Sequence, residues 1–422
     1  MTTGPIPTSF SLDAFIAEHV TGRTTSLFKA DLAEHDAALR AAIEGRSVLV
    51  IGGAGSIGSA FIRALLAFGP SRLCVVDLSE NGLTELTRDL RSTDGLTVPE
   101  HFTTYPIDFG GPIFERMLRA SGPFDIVAHF AAHKHVRSEK DRYSIEAMLH
   151  NNVVSTVRLL DLLVELPPQH FFCVSTDKAA NPANVMGASK KLMEESVLAY
   201  AAAAAAVADA SAPVSTVPAV TARFANVAFS NGSLLAGFLQ RIALGQPLSA
   251  PSDVRRYFVS AEESGQLCLI ACLLGRPGDI LFPRLEEPQM LTFSAVADAL
   301  LRALGFEPAP CASEAEAKAL ASTRIPGDPW PVYYFASETS GEKSFEEFYT
   351  DDETVHLDRF SALGVIEGRA GSDVAGIHRM IGELGMLFAT ADLPKAAIVD
   401  ALSTLVPSLA HVETGINLDQ KM

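Results

Sequence analysis

Ser175-Thr176-Asp177-Lys178 places two hydroxyls, a carboxyl and an amine on consecutive residues, and Met186-Gly187-Ala188-Ser189-Lys190 follows shortly after. An adjacent carboxyl and amine can serve a bound substrate as acid and base. In that use Asp177 must be protonated and Lys178 neutral, the reverse of the charges in a simple ion pair. Burial pushes both groups in the required direction. The same residue types also make an ordinary surface turn with a solvated Asp-Lys pair. Lys190 stands four residues after Met186, so the two share a helix face. Met186 cannot carry a proton.

Short apolar runs set the frame for these residues. Residues 47–51 (SVLVI) read as a strand ended by glycines, 57–68 as a helix, 73–76 as a strand ending in Asp77, and 101–107 as one ending in Asp108. Residues 125–130, 171–174 and 220–224 read as further strands, with helices at 151–163 and 186–200. Buried strands alternating with helices predict an α/β fold: a Rossmann-like doubly wound parallel sheet with a smaller C-terminal substrate lobe. Gly52-Gly53-Ala54-Gly55-Ser56-Ile57-Gly58 lies between the first strand and its helix. Glycines there allow a tight turn and close approach to a pyrophosphate, which the helix N-terminus then holds. Gly52, Gly55, Ser56, Ile57 and Gly58 are therefore candidate cofactor residues. Asp77 lies about 20 residues beyond the turn, where a carboxylate suits both hydroxyls of an adenosine ribose. Its charge repels a 2′-phosphate, so NAD is expected rather than NADP. Asp108 reads either as an adenine contact or as a loop cap.

A chain of 422 residues, 48% hydrophobic and 20% charged, is long enough for two or three domains or one enlarged α/β domain. The boundaries read as a helical N-terminal extension at 1–46, a dinucleotide-binding domain at 47–226, a substrate lobe at 227–350 and a helical C-terminal extension at 351–422. A formal net charge of −17 speaks against nonspecific binding of nucleic acid or anionic membranes. No signal peptide and no apolar run of membrane-spanning length is read, so no membrane insertion is expected. Cys74, Cys173, Cys268, Cys272 and Cys311 form no paired array. They read as buried reduced thiols, which suits a cytoplasmic protein.

The motifs VLVIGGAGSIGS at 48–59, AAHKHV at 131–136, NNVVST at 151–156 and STDKAANPANVMGASK at 175–190 occur in that order. RFANVAFSNGS at 223–233, RRYFVSAEES at 255–264 and GEKSFEEFYTDDE at 341–353 follow. This series resembles the extended short-chain dehydrogenase/reductase superfamily, and within it the CapD-like polysaccharide-biosynthesis group of UDP-N-acetylglucosamine 4,6-dehydratases. The resemblance implies three linked steps. The sugar C4 gives a hydride to NAD+, water leaves across C5 and C6, and the hydride returns to C6, so the cofactor stays bound.

The resemblance assigns the acid to Asp177 and the base to Lys178, with the positive nicotinamide ring near Lys178. It has Lys190 hold the nicotinamide ribose. In the superfamily the Met186 position usually carries a Tyr that moves the C4 hydroxyl proton, although some longer dehydratases of the group also have Met. The proton then falls to Asp177, Thr176 or water. Ala131 is implied at the cofactor, and Lys134 and His135 between nicotinamide and sugar. Asn226, Ser230, Arg255 and Arg256 are implied on the UDP-sugar side, with an Arg suited to the diphosphate. Ala225 and Asn231 depart from a usual Gly and a common Arg. Glu342 and Lys343 match a late motif without a derivable role. His129, His133 and His135 have no accompanying acidic ligand set, and no metal is assigned. The implied partner is a UDP-sugar, and self-association as a homo-oligomer is expected through the terminal extensions. The second reading is an NAD-dependent epimerase or oxidoreductase acting on a related UDP-sugar.

Overall fold

Val48-Leu49-Val50-Ile51 has no polar face to offer water, and all four side chains are buried in strand β1, Ser47–Ile51. That pattern belongs to a parallel strand covered by helices on both sides. In the computed structural model, which describes residue 7 and residues 9–136, 139–208, 217–337 and 345–411, β1 pairs in parallel with β2 (Arg72–Val76) and β4 (Ile126–His129). Further parallel pairs join β2 to β3 (His101–Tyr105), β4 to β5 (His170–Val174), β5 to β6 (Ala219–Ala222) and β6 to β7 (Asp279–Pro283). β9 (Leu363–Glu367) adds antiparallel to β7, and β8 (Val355–His356) antiparallel to β9. The order is β8-β9-β7-β6-β5-β4-β1-β2-β3. It reverses between β1 and β4, and the crevice beyond the strand ends at such a point is where these sheets bind ligands.

The fold is thus α/β with a mostly parallel, Rossmann-like sheet. Each strand read from the apolar runs is present within a residue or two of its expected ends, the scatter usual for such boundaries. The stretch expected to be helical from residue 351 begins instead with β8 and β9. Leu363, Val365 and Ile366 of β9 are buried because this segment completes the sheet beyond β7. Two helices then follow, Val374–Ala389 and Lys395–Leu405. They cover the long helix Val185–Ala208, with Ile377, Leu384, Ile398 and Leu402 in one buried cluster with Val185, Met186 and Leu192.

The N-terminal segment serves two cores. Phe28, Leu39 and Ile43 pack into the main core, while Phe15, Ile16 and Val20 pack into the smaller lobe. Asp31 accepts hydrogen bonds from Ser361 N and Ala362 N, and Arg23 pairs with Glu263 at 2.8 Å. The lobe itself is built from helices Leu234–Ala243 and Phe293–Ala303 against a small sheet of Leu248–Pro251, Trp330–Phe335 and Pro308–Pro310. All five cysteines are free and buried, and burial pushes the Cys173 thiol up to about 12. Residues 209–212 of the Ala-rich stretch, Glu342, Lys343 and the tail 412–422 lie outside the described residues.

The largest buried charge is Arg223, just after β6, at 0% exposure. Its guanidinium binds both oxygens of Glu194 at 3.0 and 2.9 Å and both of Glu353 at 2.8 Å, and donates to Phe348 O. Ser175 Oγ donates to Glu194 as well, at 2.6 Å. Burial alone raises the Glu194 pKa, but the charge of Arg223 and its hydrogen bonds bring it below the ordinary carboxylate value. Removing one partner strands the other charges out of water. Arg223→Leu should therefore lose about 3–5 kcal/mol of stability, read by urea unfolding; a loss under about 1 kcal/mol would show that the network is not what holds this region.

Candidate active site

The cofactor end forms where β1 runs into its helix, Ser56–Leu66. Gly52 has φ +79°, and a Cβ there would lie 2.4 Å from Ala131 N. At Gly58 a Cβ would meet Gly52 O, also at 2.4 Å. Only glycines let the turn, the helix and the end of β4 close this tightly. Gly55 is the N-cap and offers no side-chain bond to the first turn, which leaves the N–H groups to a ligand. Gly52, Gly55, Ser56, Ile57, Gly58, Asp77 and Ala131 all line one cavity of about 240 Å³. Asp77 is oriented by Ala54 N at 3.0 Å and Ser79 N at 2.9 Å. These features fit a dinucleotide. Asp108 is not in the lining: its carboxylate accepts from Gly110 N at 2.9 Å, as a loop cap, and Ile107 and Phe109 flank the cavity instead.

The reactive segment leaves β5 and is held by backbone bonds from Ser175 N to Ala222 O and from Asp177 N to Phe224 O. Asp177 is 3% exposed. Its Oδ1 accepts from Thr176 Oγ1 at 2.8 Å, from Lys178 N at 2.9 Å and from Lys178 Nζ at 2.9 Å. The pair is therefore not a solvated surface turn. A residue that the spacing did not single out joins it. Buried Glu346 places Oε1 3.9 Å from Lys178 Nζ and 3.6 Å from Arg256 Nη2. Nothing local in the sequence links 178, 256 and 346; only the pairing of distant segments does.

Two expected partners stand differently. Lys190 is buried, with Nζ donating to Val174 O at 3.0 Å, and it does not line the cofactor cavity. Burial lowers its pKa. Met186 is 2% exposed in the cluster formed with the C-terminal helices, so an apolar side chain suits its surroundings. Its carbonyl accepts from Ser189 Oγ, and Asn152 donates both to Ser189 Oγ and to His133 O. His133 N closes this ring onto Asn152 Oδ1 at 2.8 Å, so helix 185–208 and the loop after β4 are fixed together. Behind them, His129 is fully buried with Nε2 3.2 Å from Thr156 Oγ1. Burial, then the charge of Lys190, pushes it down to about 3.

A second cavity, of about 410 Å³, opens on the lobe side. Lys134, His135, Asn226 and Ser230 line it. Lys134 also lines the cofactor cavity, so the two meet there. Desolvation lowers the Lys134 pKa, and its Nζ donates to Asn231 O at 2.9 Å while Asn231 N donates to Ser56 Oγ at 2.8 Å. Arg255 and Arg256 do not reach this lining. Arg255 pairs with Glu287 at 2.8 Å, and Arg256 faces Glu346. Arg241, on helix Leu234–Ala243, lines the cavity together with Lys134. Ser249 joins Phe258, Phe293 and Phe335 in the wall, and its buried hydroxyl has no hydrogen-bond partner among the described residues. Arg241 was visible only as one basic residue on an amphipathic helix, and Ser249 carried no signal at all.

The family described as polysaccharide biosynthesis protein matches residues 48–367. An uncharacterized membrane protein of Methanocaldococcus jannaschii is 28% identical over 323 residues, 76% of this chain and 85% of that protein. The probable polysaccharide biosynthesis protein EpsC of Bacillus subtilis is 30% identical over 247 residues, 58% of this chain but only 39% of its own length. Among solved structures, DesIV from Streptomyces venezuelae, a dTDP-glucose 4,6-dehydratase with NAD bound, superposes with a TM-score of 0.54 at 20% identity. That match covers 72% of this chain and 88% of DesIV, and at such identity the likeness is one of fold. No helix among the described residues is long and apolar enough to cross a membrane.

Two outcomes follow from this geometry. Met186→Tyr forces a larger, polar side chain into a closed apolar cluster and should lower stability by about 1–3 kcal/mol in urea unfolding; an unchanged midpoint would mean the cluster has room for a phenol. Unfolded histidine takes up a proton below about pH 6.5, while His129 in the folded chain stays neutral to about pH 3. The unfolded state binds more protons in that window, so stability falls as pH drops from 6.5 toward 3. His129→Gln should flatten that part of a stability-versus-pH curve; an identical slope would remove His129 as its source.

Proposed function

Because the chain belongs to the polysaccharide biosynthesis protein family, of the CapD- and EpsC-like kind within the extended short-chain dehydrogenase/reductase superfamily, we propose that it is an NAD-retaining nucleotide-sugar 4,6-dehydratase acting on UDP-N-acetylglucosamine. The observation that carries this reading is the buried Asp177–Lys178 pair, Oδ1 to Nζ 2.9 Å. An elimination of water needs an acid for the leaving hydroxyl and a base for the carbon-bound proton, and this pair is both.

Gly52, Gly55, Ser56, Ile57 and Gly58 would hold the cofactor pyrophosphate and Asp77 the adenosine ribose. When bound, NAD+ would supply a hydride acceptor for C4 and, once reduced, a hydride donor for C6. Asp177 takes the O4 proton, which Met186 cannot carry, and passes the same proton to the C6 hydroxyl as it leaves as water. Lys178, as the free amine, takes the C5 proton, and the resulting ammonium, whose hydrogens exchange with solvent, returns a proton to C5. With these two residues every proton is accounted for. The lobe cavity suits the nucleotide part of the substrate. Lys134, Arg241 and the N-terminus of helix Leu234–Ala243 face a diphosphate, and the aromatic wall with Ser249 faces a base. Self-association as a homo-oligomer belongs to this reading on the resemblance alone.

The test is mass spectrometry of UDP-N-acetylglucosamine incubated with the protein and NAD+ in heavy water. Loss of one water with one solvent deuteron incorporated supports the dehydratase. An unchanged mass with no exchange removes this substrate and moves the trial to a panel of UDP-sugars; an unchanged mass with an altered C4 configuration favours the epimerase. Lys178→Ala should abolish C5 exchange and leave cofactor binding intact, and exchange at the wild-type rate would remove Lys178 as the base.

A further inference from the structure

Glu346 has no part in the proton balance above, yet it is brought to Lys178 from the far end of the chain. Its Oε1 lies 3.9 Å from Lys178 Nζ, whose other carboxylate neighbour is Asp177 Oδ1 at 2.9 Å. The position is held on several sides. Arg256 Nη2 lies 3.6 Å from the same oxygen. Tyr257, the next residue, stacks on Phe348 with ring centroids 5.4 Å apart, and Phe282 also stacks on Phe348 at 5.7 Å. Phe348 O accepts from Arg223, the fully buried guanidinium.

We propose that Glu346 is a positioning residue for the elimination, fixing with Asp177 the direction of the Lys178 lone pair. This inference rests on the dehydratase reading. A neutral amine has two N–H bonds and one lone pair. With the N–H bonds directed at Asp177 and Glu346, the lone pair faces the remaining side, where a carbon-bound proton must be met. Asp177 alone cannot do this. It becomes neutral when it takes the O4 proton, and its attraction for Lys178 falls at the moment the base is needed. Glu346 moves no proton in the balance above, and the guanidinium of Arg256 lies beside it. The four-carbon stem of Lys178 is flexible and needs such an anchor. The 3.9 Å separation closes to hydrogen-bond length in the working complex, as catalytic contacts commonly do when substrate binds.

Glu346→Gln keeps the shape and removes the charge. The expected result is a fall in kcat for water loss of about 10²-fold, with KM for UDP-N-acetylglucosamine within about twofold and the unfolding midpoint unchanged. Glu346→Asp should recover part of the rate. A wild-type kcat, or a loss in which KM and stability move together with kcat, overturns the proposal. A second measurement needs no substrate: reductive methylation of the free protein, with Lys178 labelling followed by peptide mass spectrometry. Releasing Nζ from Glu346 leaves the amine freer to reach the reagent, so Glu346→Gln should label several-fold faster; equal rates overturn the contact. If the wild-type protein leaves UDP-N-acetylglucosamine unchanged, the substrate reading fails while the labelling comparison still decides the role of Glu346.

Discussion

Arg223 is a full positive charge with no route to water, and the reactive end of the molecule is arranged around satisfying it. Its two carboxylates come from different places: Glu194 from the helix that carries Met186 and Lys190, Glu353 from a segment that follows the lobe. Ser175 completes the coordination of Glu194 from the start of the reactive segment. A buried ion pair contributes little net stability against an apolar replacement, but it tolerates no incomplete arrangement. The consequence is geometric. The end of β6, the reactive segment, the long helix and the late segment must all be present together, and Asp177, Lys178 and Glu346 are positioned by the same set of bonds.

The ligand side depends on a different economy of contacts. Asn231 uses only its backbone, receiving Lys134 Nζ at its carbonyl and donating its N–H to Ser56 Oγ. This joins the loop of the lobe to the first turn of the cofactor helix, so the wall between the two cavities is one bonded unit. Phe229, three residues after Asn226, holds φ at 55°, a left-handed conformation uncommon for a bulky side chain. Such strain persists where the surroundings over-determine the backbone, and here the loop is pinned at both Asn226 and Asn231.

What was legible in the sequence follows from range. β1, β2, β4, β5 and β6 announce themselves because strands buried on both faces must be largely apolar, and the glycine turn is legible because backbone closeness at Gly52 and Gly58 excludes any side chain. Asp77 was legible from its distance beyond that turn. β9 was not, since Leu363-Gly364-Val365-Ile366 is as apolar as a short buried helix and only its pairing with β7 decides. Arg255 and Arg256 were adjacent in a motif, yet the arginine lining the lobe cavity is Arg241, because a side chain's destination depends on the packing of its strand and not on its neighbour's identity. Glu346 and Glu353 were unreadable for the same reason: their partners lie far away along the chain.

Met186 brings the packing and the chemistry to one point. A phenol at this position needs a polar partner or water, and the long helix here turns this position into an apolar cluster closed by Ile377, Leu384, Ile398 and Leu402. Closing that cluster and keeping a proton-transferring hydroxyl are competing demands on one side chain. The chain meets the first with Met, and the second passes to a group already within the reactive segment. Asp177 can take it because its carboxyl group, though 3% exposed, is supported by three donors within the reactive segment. A carboxylate that first receives a proton from the substrate and then returns it to the leaving group needs no second carrier. The demand it leaves behind is a second anchor for Lys178 that takes no part in the proton transfers, and buried Glu346, held beside Arg256, stands where such an anchor is needed.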